Sequence, residues 1–197
     1  MRTLQLRTLA RALFAELESF SFPDREDAIY LNVGTVRTDE ATALIPPALV
    51  HHLIRSRPRL ERAGLSLSPT HWVAVDPVSG RLMPVPTSLE IPPDALDRLE
   101  ERGGTDGRGD WSFVDGILPV AAVCWLGELE DPPLVPMTRG VTLHHIAGQA
   151  ANLPKLGGRA LEGLGRLVGG ARCYGLGGDS SREAIDALDR VLRQPAR

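Results

Sequence analysis

Cysteine is scarce. The 197 residues hold two, Cys124 and Cys173, with no CxxC spacing. This excludes a disulfide-stapled scaffold and a Cys-rich zinc module, and reads as two reduced thiols of a cytoplasmic protein. Lysine is scarcer still, since 21 of the 22 basic residues are arginine and Lys155 is the exception. A single lysine beside Pro154 and near Gly157 argues against Schiff-base or lysine–phosphate chemistry. With 20 Gly and 16 Pro, the skew reads as the composition bias of a GC-rich bacterial genome. Aromatics make up 5%, so Leu, Val, Ile and Ala must build the core. Long apolar runs are missing too. The longest, residues 117–126, is about half the ~20 residues that span a bilayer. The first twenty residues are broken by Arg2, Arg7, Arg11, Glu16 and Glu18 and lack the apolar stretch of a signal peptide. The expectation is a cytoplasmic protein with no membrane span.

What is present is ordinary for a globular chain: 43% hydrophobic and 24% charged residues. The length suits one domain over residues 1–197. The formal charge of −3 hides an uneven spread: residues 1–89 carry +1, residues 90–131 carry −8, and residues 132–197 carry +4. The middle block reads as an acidic solvated segment, or as a docking surface for a basic partner.

Leu6, Leu9, Leu13, Leu17 and Phe20 recur at helical spacing and predict an amphipathic helix ending before Pro23. Residues 28–33 read as a strand. Thr38 and Asp39 suggest the cap of a brief helical turn. Pro46 and Pro47 open a helix whose buried stripe is Leu49, Val50, Leu53 and Ile54. Residues 71–76 and 81–85 flank Pro77-Val78-Ser79-Gly80 and predict a β-hairpin. A short acidic helix is expected over 94–102. Residues 103–109, with four glycines in seven positions, read as a flexible loop or an internal linker. A short strand is expected over 111–114. Residues 117–125 suit a central strand buried on both faces.

The last third is helical. One stripe is Leu143, Ile146, Ala147 and Ala150, stopping near Pro154; the next is Leu156, Ala160, Leu164, Leu167 and Val168, closed by Gly169-Gly170. Gly157 and Gly165 are expected on its apolar side, where a close contact would offset the ~1 kcal/mol that each helical glycine costs. Residues 171–176 suit a strand. Ser180 and Glu183 form a capping box for a final helix burying Ala184, Ile185, Leu188 and Leu192. The fold class is therefore α+β: a single domain with a mixed or antiparallel sheet covered by helices.

Four of the five histidines form two adjacent pairs, His51-His52 and His144-His145. Neighbours on a helix diverge by ~100°, so one pair cannot ligate one metal in the i, i+4 manner. One histidine from each helix could meet at a metal or acid–base site if the helices touch and a carboxylate joins them. Arg55, Arg57, Arg59 and Arg62 form the densest basic cluster, able to hold phosphate or nucleic acid, with no aromatic interleaved. Residues 175–181 could cradle a phosphate at a helix N-terminus, but the glycines fit neither nucleotide-binding pattern and Asp179 opposes an anion. The Gly-Asp-Ser run there lacks a nucleophile elbow. Cys124 reads as inert core. The chain is accordingly expected to be a non-enzymatic, cytoplasmic binding or regulatory accessory module that needs no cofactor and meets a protein partner or a second copy of itself. The alternatives are a histidine-based metal or acid–base enzyme, and nucleic-acid or phosphoanion binding through Arg55–Arg62.

Overall fold

The computed structural model describes residues 19–68, 72–83, 118–128, 132–177 and 180–194. Most of the expected N-terminal helix, the acidic helix over 94–102, the glycine-rich stretch 103–109 and the strand over 111–114 lie outside them.

A 3-10 turn, Phe22–Asp24, leads into strand β1, Ile29–Asn32, and after one residue into β2, Gly34–Arg37. β2 turns back directly into β3, Thr42–Ile45. The expected helical turn at Thr38 is instead this hairpin's turn. Thr38 donates its N–H to the Ala41 carbonyl and receives the Ala41 and Glu40 N–H groups on its hydroxyl, which closes a β-turn. Helices α1, Pro47–Ile54, and α2, Arg57–Arg62, each begin with a proline in the first turn. Strand β4 is Ser66–Leu67, and β5, Trp72–Val75, pairs antiparallel with β6, Leu82–Met83, as the hairpin reading expects. Strand β7 is Val120–Leu126 and β8 is Val135–Pro136. Helices α3, Arg139–Ala147, α4, Leu153–Leu156, and α5, Gly158–Gly170, precede strand β9, Arg172–Leu176, and helix α6, Ser181–Arg193.

The nine strands among the described residues make two sheets. One is six-stranded, in the order β4-β2-β3-β7-β9-β8, with β3, β7 and β9 parallel and the rest antiparallel. The other is β1-β5-β6, wholly antiparallel. This is the α+β class the sequence suggests, with a mixed sheet. The apolar run of β7 sits where such a run belongs, between two parallel neighbours with both faces covered.

Strand alternation sorts the core into layers. Ala43, Ile45, Ala122, Cys124 and Leu176 face one way, against Leu49, Val50, Leu53, Leu60, Ile185, Leu188 and Val191 of α1, α2 and α6. Leu44, Val123 and Cys173 face the other way, against Ile146, Ala160, Leu164, Leu167 and Val168 of α3 and α5. The small sheet adds Ile29, Leu31 and Val75 to this second core, while its far face holds Phe22, Tyr30 and Ala74. Phe22 stacks on Tyr30 with centroids 4.2 Å apart and meets Trp72 edge-on at 5.0 Å. Fully burying each large aliphatic chain contributes roughly 1.5–3 kcal/mol. Ile54, expected in the α1 stripe, is instead 46% exposed at the last position of α1, next to the fully buried Leu53. The α3 helix stops at Ala147, so Ala150 bridges to Leu31 rather than extending the stripe.

The glycine expectation also needs correction. Gly165 and Gly157 have open space where a Cβ would stand. Gly157 instead carries φ +54° between α4 and α5, a conformation that side chains disfavour. The close approach is at Gly163, where a Cβ would lie 2.8 Å from Pro77 Cα, the Pro77 carbonyl oxygen and Ile29 Cδ1. Gly80 makes the reciprocal approach to the α5 backbone at Leu167, and Arg166 donates to the Pro77 carbonyl at 3.2 Å. The β5–β6 turn is thus seated on α5. Gly169-Gly170 does not close α5 as a left-handed cap; the helix runs through both into extended Ala171.

This seat makes a paired prediction. Gly163→Ala should destabilise the protein by about 1–3 kcal/mol through overpacking against backbone. Gly165→Ala, in open space on the same helix, should stabilise it by up to ~1 kcal/mol. Urea denaturation of both variants checks this, and equal effects would refute the seat.

Candidate functional site

The two histidine pairs do not meet. His51 and His52 stand exposed on α1, whose buried side chains belong to one face of the six-stranded sheet. His144 and His145 stand on α3, whose Ile146 packs against the opposite face. The sheet separates them, so no pair of histidines drawn from the two helices shares a centre. Among the described residues no three His, Cys, Asp or Glu side chains are grouped to hold a metal ion.

The groups with nucleophilic or acid character are occupied locally. Ser180 accepts the Glu183 N–H at 3.2 Å, forming the N-cap read from the sequence, and its hydroxyl donates to the Glu183 carboxylate at 2.9 Å, so that carboxylate meets the cap through the hydroxyl. That carboxylate sits over the α6 N-terminus, where a phosphate would need to lie. Asp76 accepts from the N–H groups of Val78 and Ser79 and from the Ser79 hydroxyl at 2.6 Å. The Ser79 hydroxyl and then the Val78 N–H hold its carboxyl below the usual range. Asp27 is likewise lowered, first by the Arg25 guanidinium that grips both its oxygens, at 3.0 and 2.6 Å, and also by the Tyr30 hydroxyl. Both aspartates serve turns and local packing.

Cys124 and Cys173 are free and buried, on adjacent strands but on opposite sheet faces. Burial pushes the Cys124 thiol up to about 12, with the neighbouring Cys173 adding to the shift. A thiol held neutral in this way is a poor nucleophile.

Arg55 caps α1, and Arg57, Arg59 and Arg62 stand on α2, in the helical layer that α1, α2 and α6 form over one face of the large sheet. Arg57 pairs with Glu61 at 2.7 Å, one helical turn away. Arg62 donates to the Pro58 carbonyl. Arg55, Arg59 and Arg62 have no carboxylate within ion-pair distance among the described residues. Two arginines distant in sequence join them. Arg193 of α6 donates to the Ala63 carbonyl at 2.8 Å while pairing with Asp189, and Arg37 of β2 donates to the Ser66 hydroxyl at 3.1 Å.

One feature escaped the sequence reading. Trp125, near the C-terminal end of β7, is half-buried and stacks on His145 of α3, with centroids 5.3 Å apart and planes 15° from parallel. His144 lies tilted against His145 at 5.9 Å. Val141, one turn before His145 on the same side of α3, is 46% exposed. Leu126, the next residue along β7, is 48% exposed. The result is an aromatic and apolar surface where α3 crosses the end of the parallel strands. The available signal was the second histidine pair itself, since a helix that buries Ile146 must turn His145 toward its flank.

Compared with known proteins, the chain matches no protein-family model, no curated protein and no solved structure.

The thiols give a clear test. In the folded protein both should resist alkylation at pH 8, and both should react once urea unfolds it, as read by mass spectrometry. The Cys124 pKa is raised from 9.0 to about 12. Its contribution to stability is therefore complete below about pH 9 and is lost as pH climbs toward 12, because the unfolded state releases the proton first. Cys124→Ala should flatten that part of the alkaline stability profile. Fast native labelling of Cys124 would contradict its burial.

Proposed function

We propose that this protein is a non-enzymatic, cytoplasmic binding module of regulatory or accessory type, acting through protein–protein contacts at the surface around Trp125. The observation that carries the reading is the Trp125–His145 stack with Val141 exposed beside it. A partly exposed tryptophan held in place by a second ring offers a large, preorganised contact area at low entropic cost. Tryptophan is also enriched among the few residues that dominate interface energies. In a chain with 5% aromatics, such a surface is a costly place to leave one.

Two further observations support the setting. Among the described residues the edges of the large sheet are the two-residue strands β4 and β8, and β8 contains Pro136. Short edges and an edge proline disfavour strand addition, so recognition falls to helix surfaces. Both cysteines are free, as suits a reducing compartment. No helix among the described residues is long and apolar enough to cross a membrane.

A photo-crosslinking residue placed at Val141 tests the reading in cells. The expected result is one adduct of defined mass, lost when His145→Asp is added. The same probe at Arg182, exposed on α6, should give none. Light scattering of the purified protein across a hundredfold concentration range separates the two kinds of partner: a mass that doubles and returns to monomer in Val141→Asp identifies a second copy. No adduct at Val141 together with a strictly monomeric mass would refute the proposal.

A further inference from the structure

We propose that Arg55, Arg59 and Arg62, with His52 continuing the row, form a contact surface for the phosphate backbone of a duplex nucleic acid, independent of the Trp125 surface. His52 and Arg55 are three residues apart at the end of α1, and Arg59 and Arg62 three apart within α2, a spacing that puts the two side chains of each pair on one side of their helix. The row crosses a helix break: Arg55 caps α1, and Ser56, at φ −105° and ψ 18°, leaves helical geometry and opens α2, so that His52 and Arg55 stand at the end of one short helix and Arg59 and Arg62 on the next. The buried partners alternate with the row. Leu53 and Leu60 pack inward at 0% and 1% exposure, while His52, Arg55 and Arg62 are exposed and Arg59 is half-buried.

Charge bookkeeping on this layer points to an anion. The carboxylates beside the row are already engaged, Glu61 by Arg57 and Asp189 by Arg193. Arg55, Arg59 and Arg62 have no such partner among the described residues. Two further arginines are anchored close by in the chain, Arg193 at the Ala63 carbonyl just past α2 while paired with Asp189, and Arg37 at the Ser66 hydroxyl of β4. Holding several guanidiniums together without counter-charges is unfavourable, and a polyanion relieves it. Guanidinium forks match phosphate oxygens, and a line of them matches a line of phosphates.

No aromatic side chain is interleaved in the row, which removes the stacking platform that single-stranded binders use and favours a duplex. Contacts of this kind position a protein without reading sequence. The chain's net charge of −3 keeps the attraction local, so binding should be weak at physiological salt and strong only when salt is low.

Fluorescence anisotropy with a labelled 20-base-pair DNA duplex of arbitrary sequence is the test, using the full chain. Wild type should bind at 50 mM salt and lose about 40-fold in affinity by 200 mM, as three phosphate contacts imply. Arg59→Ala and Arg62→Ala should each weaken binding and reduce the salt slope by about one. Arg182→Ala, across α6 and paired with Asp186, should change neither, and Val141→Asp should leave binding intact, so that failure here and failure of the protein-contact reading are separable. Circular dichroism confirms that each variant is folded. No binding at 50 mM salt, or a salt slope unchanged in both arginine variants, would overturn the proposal. Capture of poly-glutamate but not the duplex through the same arginines would overturn it in favour of an acidic polypeptide.

Discussion

Asn152 is the joint on which the two halves of the structure depend. It is wholly buried, and its amide donates to the Arg25 and Ala28 carbonyls at 2.9 and 2.7 Å while its oxygen accepts the Tyr30 N–H at 3.1 Å. A buried amide without partners would cost roughly 1–3 kcal/mol for each polar group stranded, so these bonds must all form together. The backbone around it is stitched to the same strand. The Asn32 N–H bonds to the Gln149 carbonyl, the Ala151 N–H bonds to the Tyr30 carbonyl, and Leu31 bridges Ala150. The free edge of β1 is thereby closed by the segment between α3 and α4. Because that segment is fixed, the end of α3 is fixed one residue before it. His145 is then held over Trp125. Contacts between residues 122 to 127 positions apart thus help set the geometry of the proposed protein-binding surface.

How much of this was legible depended on the range of the interaction. The stripes of α5 and α6 and the Ser180 cap are local patterns, and each reads directly from spacing. The β7 strand also reads directly, because an uncharged run of this kind suits a central strand, and its middle residues Ala122, Val123 and Cys124 are buried although Leu126 at its end is not. What failed was non-local. The residues Gly157, Gly163 and Gly165 look alike in sequence, yet only Gly163 meets Pro77, and nothing near Gly163 in the chain announces a turn 86 residues earlier. Thr38 offers the same hydroxyl to a helix cap as to a hairpin turn. The choice was made by β2 and β3 finding each other, which capping chemistry does not encode. Trp125 stayed hidden for a related reason. A tryptophan inside an apolar run looks like core, and its partial exposure follows from where α3 happens to end.

The reactive side chains share a common fate. The Cys124 thiol is sealed in the sheet, Ser180 is committed to a cap, and Asp76 is committed to a turn. Each has a structural duty that satisfies its polar or titratable group within a few residues or by burial. What else the described residues offer is of another sort: a stacked ring pair with an exposed valine, and arginines that lack a carboxylate partner among the described residues. These groups suit contact with large partners, through apolar area in the first case and through charge in the second.

The placement of these two surfaces carries a consequence for how they would work together. The six-stranded sheet lies between them, with α3 and α5 on one face and α1, α2 and α6 on the other. A partner seated at Trp125 would not occlude the arginine row, and a duplex along that row would not touch α3. Coupling between them would have to pass through strands packed on both sides, which are the least deformable part of the fold. Occupation of the two is therefore expected to be additive rather than competitive. A module with two independent faces can hold a protein near a nucleic acid without changing shape, so that the gain comes from raised local concentration rather than from a conformational switch.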